Sequence, residues 1–81
     1  MNRILEEDIK EIANSKLINW KSLKNKNLLI TGANGLIGSL ITRTFMYRND
    51  NFEQNTKLFL VVRNSQRTRE IFGEPKYIKL I

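Results

Sequence analysis

The stretch LLITGANGLIGSL, Leu28 to Leu40, holds Gly32, Gly35 and Gly38, three of the four glycines in this 81-residue chain. Apolar and β-branched residues lead into them, and an apolar helical pattern follows. That succession predicts a strand, a tight turn and a helix start. Glycine takes backbone angles closed to other residues and lets another group come close. A helix start aims free N–H groups and the positive end of the helix dipole at one point, which suits a phosphate. In dinucleotide-binding turns the first glycine makes the turn, the second admits the pyrophosphate and the third lets helix and strand pack closely. We assign Gly32, Gly35 and Gly38 those tasks in that order. Asn34, before Gly35, can hydrogen-bond within the turn and tolerates a left-handed backbone. The spacing Gly-x-x-Gly-x-x-Gly is neither the commoner Gly-x-Gly-x-x-Gly nor a P-loop, which ends in Gly-Lys-Ser/Thr.

The rest of the chain supplies neighbours for that turn. Residues 3–17 predict an amphipathic helix with Leu5, Ile9, Ile12 and Ala13 on one face and Leu17 extending it. Asn2 is its candidate cap. Residues 18–27 are a basic linker in which Trp20 is expected to be a packing anchor. A strand is predicted at Leu28–Thr31, then a helix over 36–48 with Ile37, Ile41 and Phe45 on one face beside Leu36 and Leu40. A polar loop, residues 49–56, leads to a strand at Lys57–Arg63, whose apolar run Leu58–Val62 predicts burial on both faces. Ser65 is expected to cap a short helix through Phe72, with Gly73 ending it and Pro75 preventing its continuation. Residues 77–81 begin a third strand. Strands alternating with helices call for a parallel sheet with right-handed crossovers. The expected fold class is therefore α/β: a partial Rossmann βαβαβ sheet over residues 26–81, preceded by the helix and basic linker of residues 1–25.

Composition narrows the chemistry. The chain has no cysteine and no histidine, which removes disulfides, Cys/His zinc sites and every nucleophile–histidine mechanism. Its net charge of +6 is uneven: −2 over residues 1–15 and +8 over residues 16–81. A basic body suits an anionic partner such as a phosphorylated small molecule. No run approaches the ~18 apolar residues that span a bilayer, and the start lacks the apolar region of a secretory signal, so a cytoplasmic location is expected and no membrane partner.

TGANGLIGS, preceded by NLLI, resembles the cofactor motif of the extended short-chain dehydrogenases/reductases, and in particular the NAD-dependent epimerase/dehydratase family that modifies nucleotide sugars. LFLVVRN is similar to that family's second strand and following turn. INWKSLKNKNLLITGANG also resembles members of bacterial surface-polysaccharide pathways, less specifically. The likeness covers roughly residues 17–81 and rests on two motifs. It implies cofactor diphosphate contacts from Gly32, Asn34, Gly35, Leu36 and Ile37, with Gly38 beneath, and places Arg63 and Asn64 beside the adenosine ribose. Many relatives have an acid at the position of Arg63, which selects NAD; a basic residue suits the 2′-phosphate of NADP. The cofactor is thus NAD or NADP, with Arg63 favouring NADP and Arg67 and Arg69 adding positive field.

The resemblance also shows what is missing. The family's catalytic Tyr-x-x-x-Lys pair has no counterpart: Asn51 lies four residues after Tyr47 and Ile81 four after Tyr77, and both tyrosines read as packing residues. The chain is therefore expected to be the opening segment of a longer enzyme, not catalytic alone, with the nucleotide-sugar substrate a partner only of the full-length parent. Its first strand would be central in the order 3-2-1-4, so that its free edge favours self-association. Two other classes stay open: a non-catalytic nucleotide-binding or regulatory module, and a basic nucleic-acid binder using Trp20, Phe52 and Tyr77. The last lacks a helix-turn-helix or zinc pattern and a stacking arrangement of aromatics, so no nucleic-acid partner is expected.

Overall fold

A computed structural model describes residues 3–81, with side chains from Glu6 onward. It is an α/β fold: a three-stranded parallel sheet with helices, compatible with a partial Rossmann-like fold. The elements are α1 (Arg3–Ala13), α2 (Trp20–Leu23), β1 (Asn27–Thr31), α3 (Leu36–Asn51), β2 (Lys57–Val61), α4 (Ser65–Phe72) and β3 (Ile78–Leu80). Sheet order is β1-β2-β3, with Leu28 opposite Leu58 and Leu58 opposite Ile78. The outer edge of β1 has no strand partner among the described residues.

Ile30, Leu58 and Leu60 form one buried face of the sheet with Trp20, Phe45 and Phe72, so the helices cover that face. Each fully buried leucine contributes about 1.5–3 kcal/mol. The other face differs from expectation. Leu29 is 62% exposed, Val61 is exposed and Phe59 is half-buried, because no helix among the described residues lies over them. The apolar run of β2 is therefore buried on one side only.

α1 ends at Ala13, four residues before the predicted end, because Asn14 turns its side-chain amide back to the Lys10 carbonyl at 2.7 Å. Ile9 and Ala13 pack inward, while Leu17, expected to extend their face, is 97% exposed. Leu5 and Asn2, named in the sequence reading, lie outside the described side chains. The linker is not plain coil: Asn19 caps α2 by accepting from the Ser22 N–H at 3.2 Å. Trp20 is the packing anchor expected, edge-on to Phe45 with ring centroids 5.3 Å apart.

α3 is turned partly away from the predicted face: Phe45 is buried as expected, but Ile37 and Ile41 are not. Its buried residues are Thr42, Thr44 and Phe45, whereas Leu36 and Ile37 are 86% and 71% exposed. Gly38, Thr42, Phe45 and Asn49 share a stripe at helical spacing. Ile37 and Ile41 lie one residue, about 100°, to its side. The threonines satisfy their hydroxyls within the helix, Thr42 Oγ1 donating to the Gly38 carbonyl and Thr44 Oγ1 to that of Leu40, both at 2.8 Å.

The supposed polar loop carries a second core. Gln54 and Thr56 are buried. The Gln54 amide donates to the Trp20 carbonyl at 2.8 Å, and Thr56 Oγ1 to that of Leu23 at 2.7 Å. Asn49 clamps the Thr56 backbone N–H and carbonyl, both at 2.9 Å. Arg48 donates to Gln54 Oε1 at 3.0 Å and to the Ala13 carbonyl at 2.6 Å, its guanidinium 4.4 Å from the Trp20 ring centre and 4.9 Å from that of Phe52.

Tyr77 donates its hydroxyl to Asp50 Oδ1 at 3.1 Å, tying the entry of β3 to the end of α3. Burial, then the Asp50 charge and the hydrogen bond, push the phenol above its ordinary pKa of 10.0. The unfolded chain releases this proton near that ordinary value while the native chain keeps it. The contribution is thus fully present below pH 10.0 and is lost as pH rises toward the folded value. Denaturation midpoints taken on both sides of pH 10.0 should fall more steeply for the wild type than for Tyr77→Phe; parallel alkaline slopes would contradict the assignment.

Candidate functional site

In a parallel α/β sheet the loops that leave the strands share one edge, the usual place for a ligand crevice. Thr31 of β1 is opposite Val61 of β2, so the glycine turn and Arg63–Asn64 leave the sheet side by side. The structure thus brings the two halves of the sequence-predicted site to the same carboxyl edge.

Gly32 makes the turn with φ +66°, the left-handed region, and its carbonyl accepts the Gly35 N–H at 2.9 Å. Ala33 points into the core at 1% exposure, which explains a small residue there. Gly35 is the N-cap of α3 and offers no side-chain cap. The N–H groups of the first helical turn, from Leu36, Ile37 and Gly38, have no earlier helical carbonyl to bond. A Cβ on Gly35 would stand 3.2 Å from the Gly32 carbonyl oxygen, a tight contact with the turn. A Cβ on Gly38 would stand 2.0 Å from the same oxygen, so the third glycine is required by the approach of helix to turn. The side chains of Leu36 and Ile37 point to solvent, leaving only their backbones to serve an anion.

Asn34 uses neither capacity. It is absent from the non-glycine residues with positive φ, and its side-chain amide reaches out of the turn to Thr68 Oγ1 at 3.4 Å. Thr68 is buried and donates to the Asn64 carbonyl at 3.0 Å. Asn64, not Ser65, caps α4, accepting the Arg67 N–H on Oδ1 at 3.0 Å. A chain of contacts therefore links the turn after β1 to the turn after β2 through Thr68, which sequence reasoning missed. Its signal was the spacing Asn64–Thr68, one helical turn. Arg63 is exposed and its guanidinium has no hydrogen bond or ion pair among the described residues. Arg67 is also exposed, whereas Arg69 is engaged by Glu74 at 3.2 Å.

The remaining candidates lie elsewhere. Tyr77 precedes β3 at the opposite, amino edge of the sheet, beside Asn27 and Lys57, and Tyr47 packs edge-on to Phe52 near the end of α3. Of the aromatics named for a nucleic-acid surface, Trp20 lies in the core, Phe52 is exposed beside Arg48 and Tyr47, and Tyr77 bonds to Asp50. Among the described residues no cluster of His, Cys, Asp or Glu is placed to hold a metal, and no helix is long and apolar enough to cross a membrane. No protein-family model, curated protein or solved structure matches the chain.

The glycine geometry makes a sharp test. Gly38→Ala should destabilise the fold by about 1–3 kcal/mol through overpacking, even though alanine is normally the better helix former by about 1 kcal/mol. Ile37→Ala, one residue away and exposed, should stay within about 0.5 kcal/mol of wild type. Urea denaturation of the two variants checks both values; an unchanged or raised Gly38→Ala midpoint would remove the close-approach argument.

Proposed function

We propose that the chain is the cofactor-binding segment of an NAD(P)-dependent enzyme of the extended short-chain dehydrogenase/reductase type, similar to the epimerase/dehydratases of nucleotide sugars, and that its α/β sheet is the opening part of a Rossmann fold working in the cytoplasm. The observation that carries this reading is the start of α3, without a side-chain cap at Gly35 and packed against the turn through Gly38, on the same sheet edge as the unpaired Arg63. The residues fit the group. Backbone N–H groups of Leu36 and Ile37 would take the diphosphate, with Asn34 and Gly32 shaping its bed. Arg63 and Asn64 would stand at the adenosine ribose. Asn64 spends its side-chain oxygen on the α4 cap, so its amide nitrogen is the group left for a ligand.

The cofactor, when bound, supplies hydride chemistry; the protein supplies binding and orientation. These residues hold a nucleotide and do not transfer hydride unaided, since neither tyrosine stands at the carboxyl edge and neither has a lysine four residues on. That absence also supports the second reading, a nucleotide-binding module without catalysis. The two share the site and differ in what accompanies it.

Titration with NADP, NAD and ADP tests the site. NADP is expected to bind more tightly than NAD, and Arg63→Ala to remove most of the difference. A charge-assisted hydrogen bond is worth ~1.5–3 kcal/mol, so the gap should be roughly tenfold or more. Equal affinities unchanged by the substitution would refute the role of Arg63. Loss of all nucleotide binding in the wild type would refute the site itself.

A further inference from the structure

An apolar groove of about 170 Å³ lies between α1, the α2 segment and α3, walled by Ile12, Ile18, Trp20, Leu40, Ile41 and Phe45. An apolar cavity of about 150 Å³ takes a benzene-sized group, so this groove has room for one aliphatic side chain. Leu17 stands beside it, almost wholly exposed. On the α1 side Glu11 adjoins Ile12 and Asp8 lies one turn before it, both exposed. An open cleft shares Ile18 and Trp20 with the groove and is walled by Lys16, Leu17 and Lys21. None of these four charged side chains has an ion pair among the described residues.

We infer that this face binds a second copy of the chain across a two-fold axis. Acids thus accompany the α1 wall of the groove and lysines the cleft that adjoins it. A partner must present base to the acidic rim, acid to the basic rim and an apolar knob to the groove. Rotated by a half-turn, the same patch does all three: Leu17 of each copy enters the groove of the other, and Asp8 and Glu11 of each meet Lys16 and Lys21 of its partner. Such an isologous contact closes on itself and stops at a dimer. The inference is independent of the nucleotide site, since none of these residues belongs to it. It also differs from pairing through the free edge of β1, whose sequence NLLIT carries no charge.

Charge reversal on the full chain separates the cases. Lys16→Glu with Lys21→Glu makes both rims acidic, and Asp8→Lys with Glu11→Lys makes both basic. In sedimentation equilibrium each double variant alone should associate roughly tenfold or more weakly than wild type, because attraction becomes repulsion. An equimolar mixture of the two should recover a dimer. Leu17→Glu, at a site that bears on no core contact, should also weaken association, and circular dichroism should show all variants folded. A monomeric wild type, association indifferent to both reversals, or a mixture that stays monomeric would each overturn the proposal. Indifference would instead direct attention to the β1 edge.

Discussion

The carbonyl oxygen of Gly32 lies where any side chain on Gly38 would have to be. Much of the molecule follows from that contact. It fixes the rotation of α3 about its axis, because the helix must present position 38 to the turn. Thr42, Phe45 and Asn49 then fall on the sheet side, and the larger Ile37 and Ile41 are carried to the flank. It also fixes the distance of α3 from β1, since no methyl group separates the two backbones. The start of α3 is thus brought over the end of β1 with its N–H groups directed past Gly35. The feature that makes the site suited to an anion and the feature that sets the packing are one contact.

A second constraint works from the far end of α3. Arg48 reaches the last residue of α1, while Gln54 and Thr56 bond to carbonyls of α2. These groups hold the two N-terminal helices to the sheet. Among the described residues no buried side-chain nitrogen or oxygen lacks a partner. A complete network of this kind is specific, because an orphaned buried group costs about 1–3 kcal/mol. The guanidinium also lies between two aromatic rings, where cation–π attraction adds about 0.5–2 kcal/mol. Apolar burial beneath the glycine turn and polar closure around Arg48 therefore hold opposite ends of one helix.

The alternation of strands and helices from β1 onward was legible in the sequence because period and punctuation agree there: apolar runs, the glycine turn, and Gly73 with Pro75 after α4; the short α2 inside the linker was not. The roles of Gly32 and Gly38 were legible for the same reason. What escaped was set by tertiary contacts. The isoleucines of α3 outscore Thr42 and Thr44 in hydropathy, so periodicity put Ile37 and Ile41 beside Phe45 on the buried stripe, although placing Gly38 inward predicts Thr42 there instead. Gln54 and Thr56 look like loop residues until their carbonyl partners, 34 and 33 residues earlier in the chain, are known. Asn34 was read as a local turn former because its cross-chain acceptor, Thr68, could not be seen from its neighbours.

The uneven covering of the sheet bears on how the site would behave. Helices pack on one face, and Leu29, Phe59 and Val61 lie on the other without a helix among the described residues. A chain of this size has a thin core, and here much of the apolar surface of its strands contributes little to stability. A ligand that binds only the folded form then counts heavily. At a hundredfold excess over its dissociation constant it adds about 2.7 kcal/mol, a large share of the few kcal/mol a small domain commands. The effect is local as well. An anion at the start of α3 would draw on the same N–H groups that the Gly32–Gly38 contact orients, and one shared with Arg63 would span the turns after β1 and β2. Asn34 and Thr68 already join those turns by a hydrogen bond of 3.4 Å, a long one. A bound phosphate would reinforce that junction with charge-assisted bonds, so nucleotide binding and closure of the carboxyl edge would be two descriptions of one equilibrium.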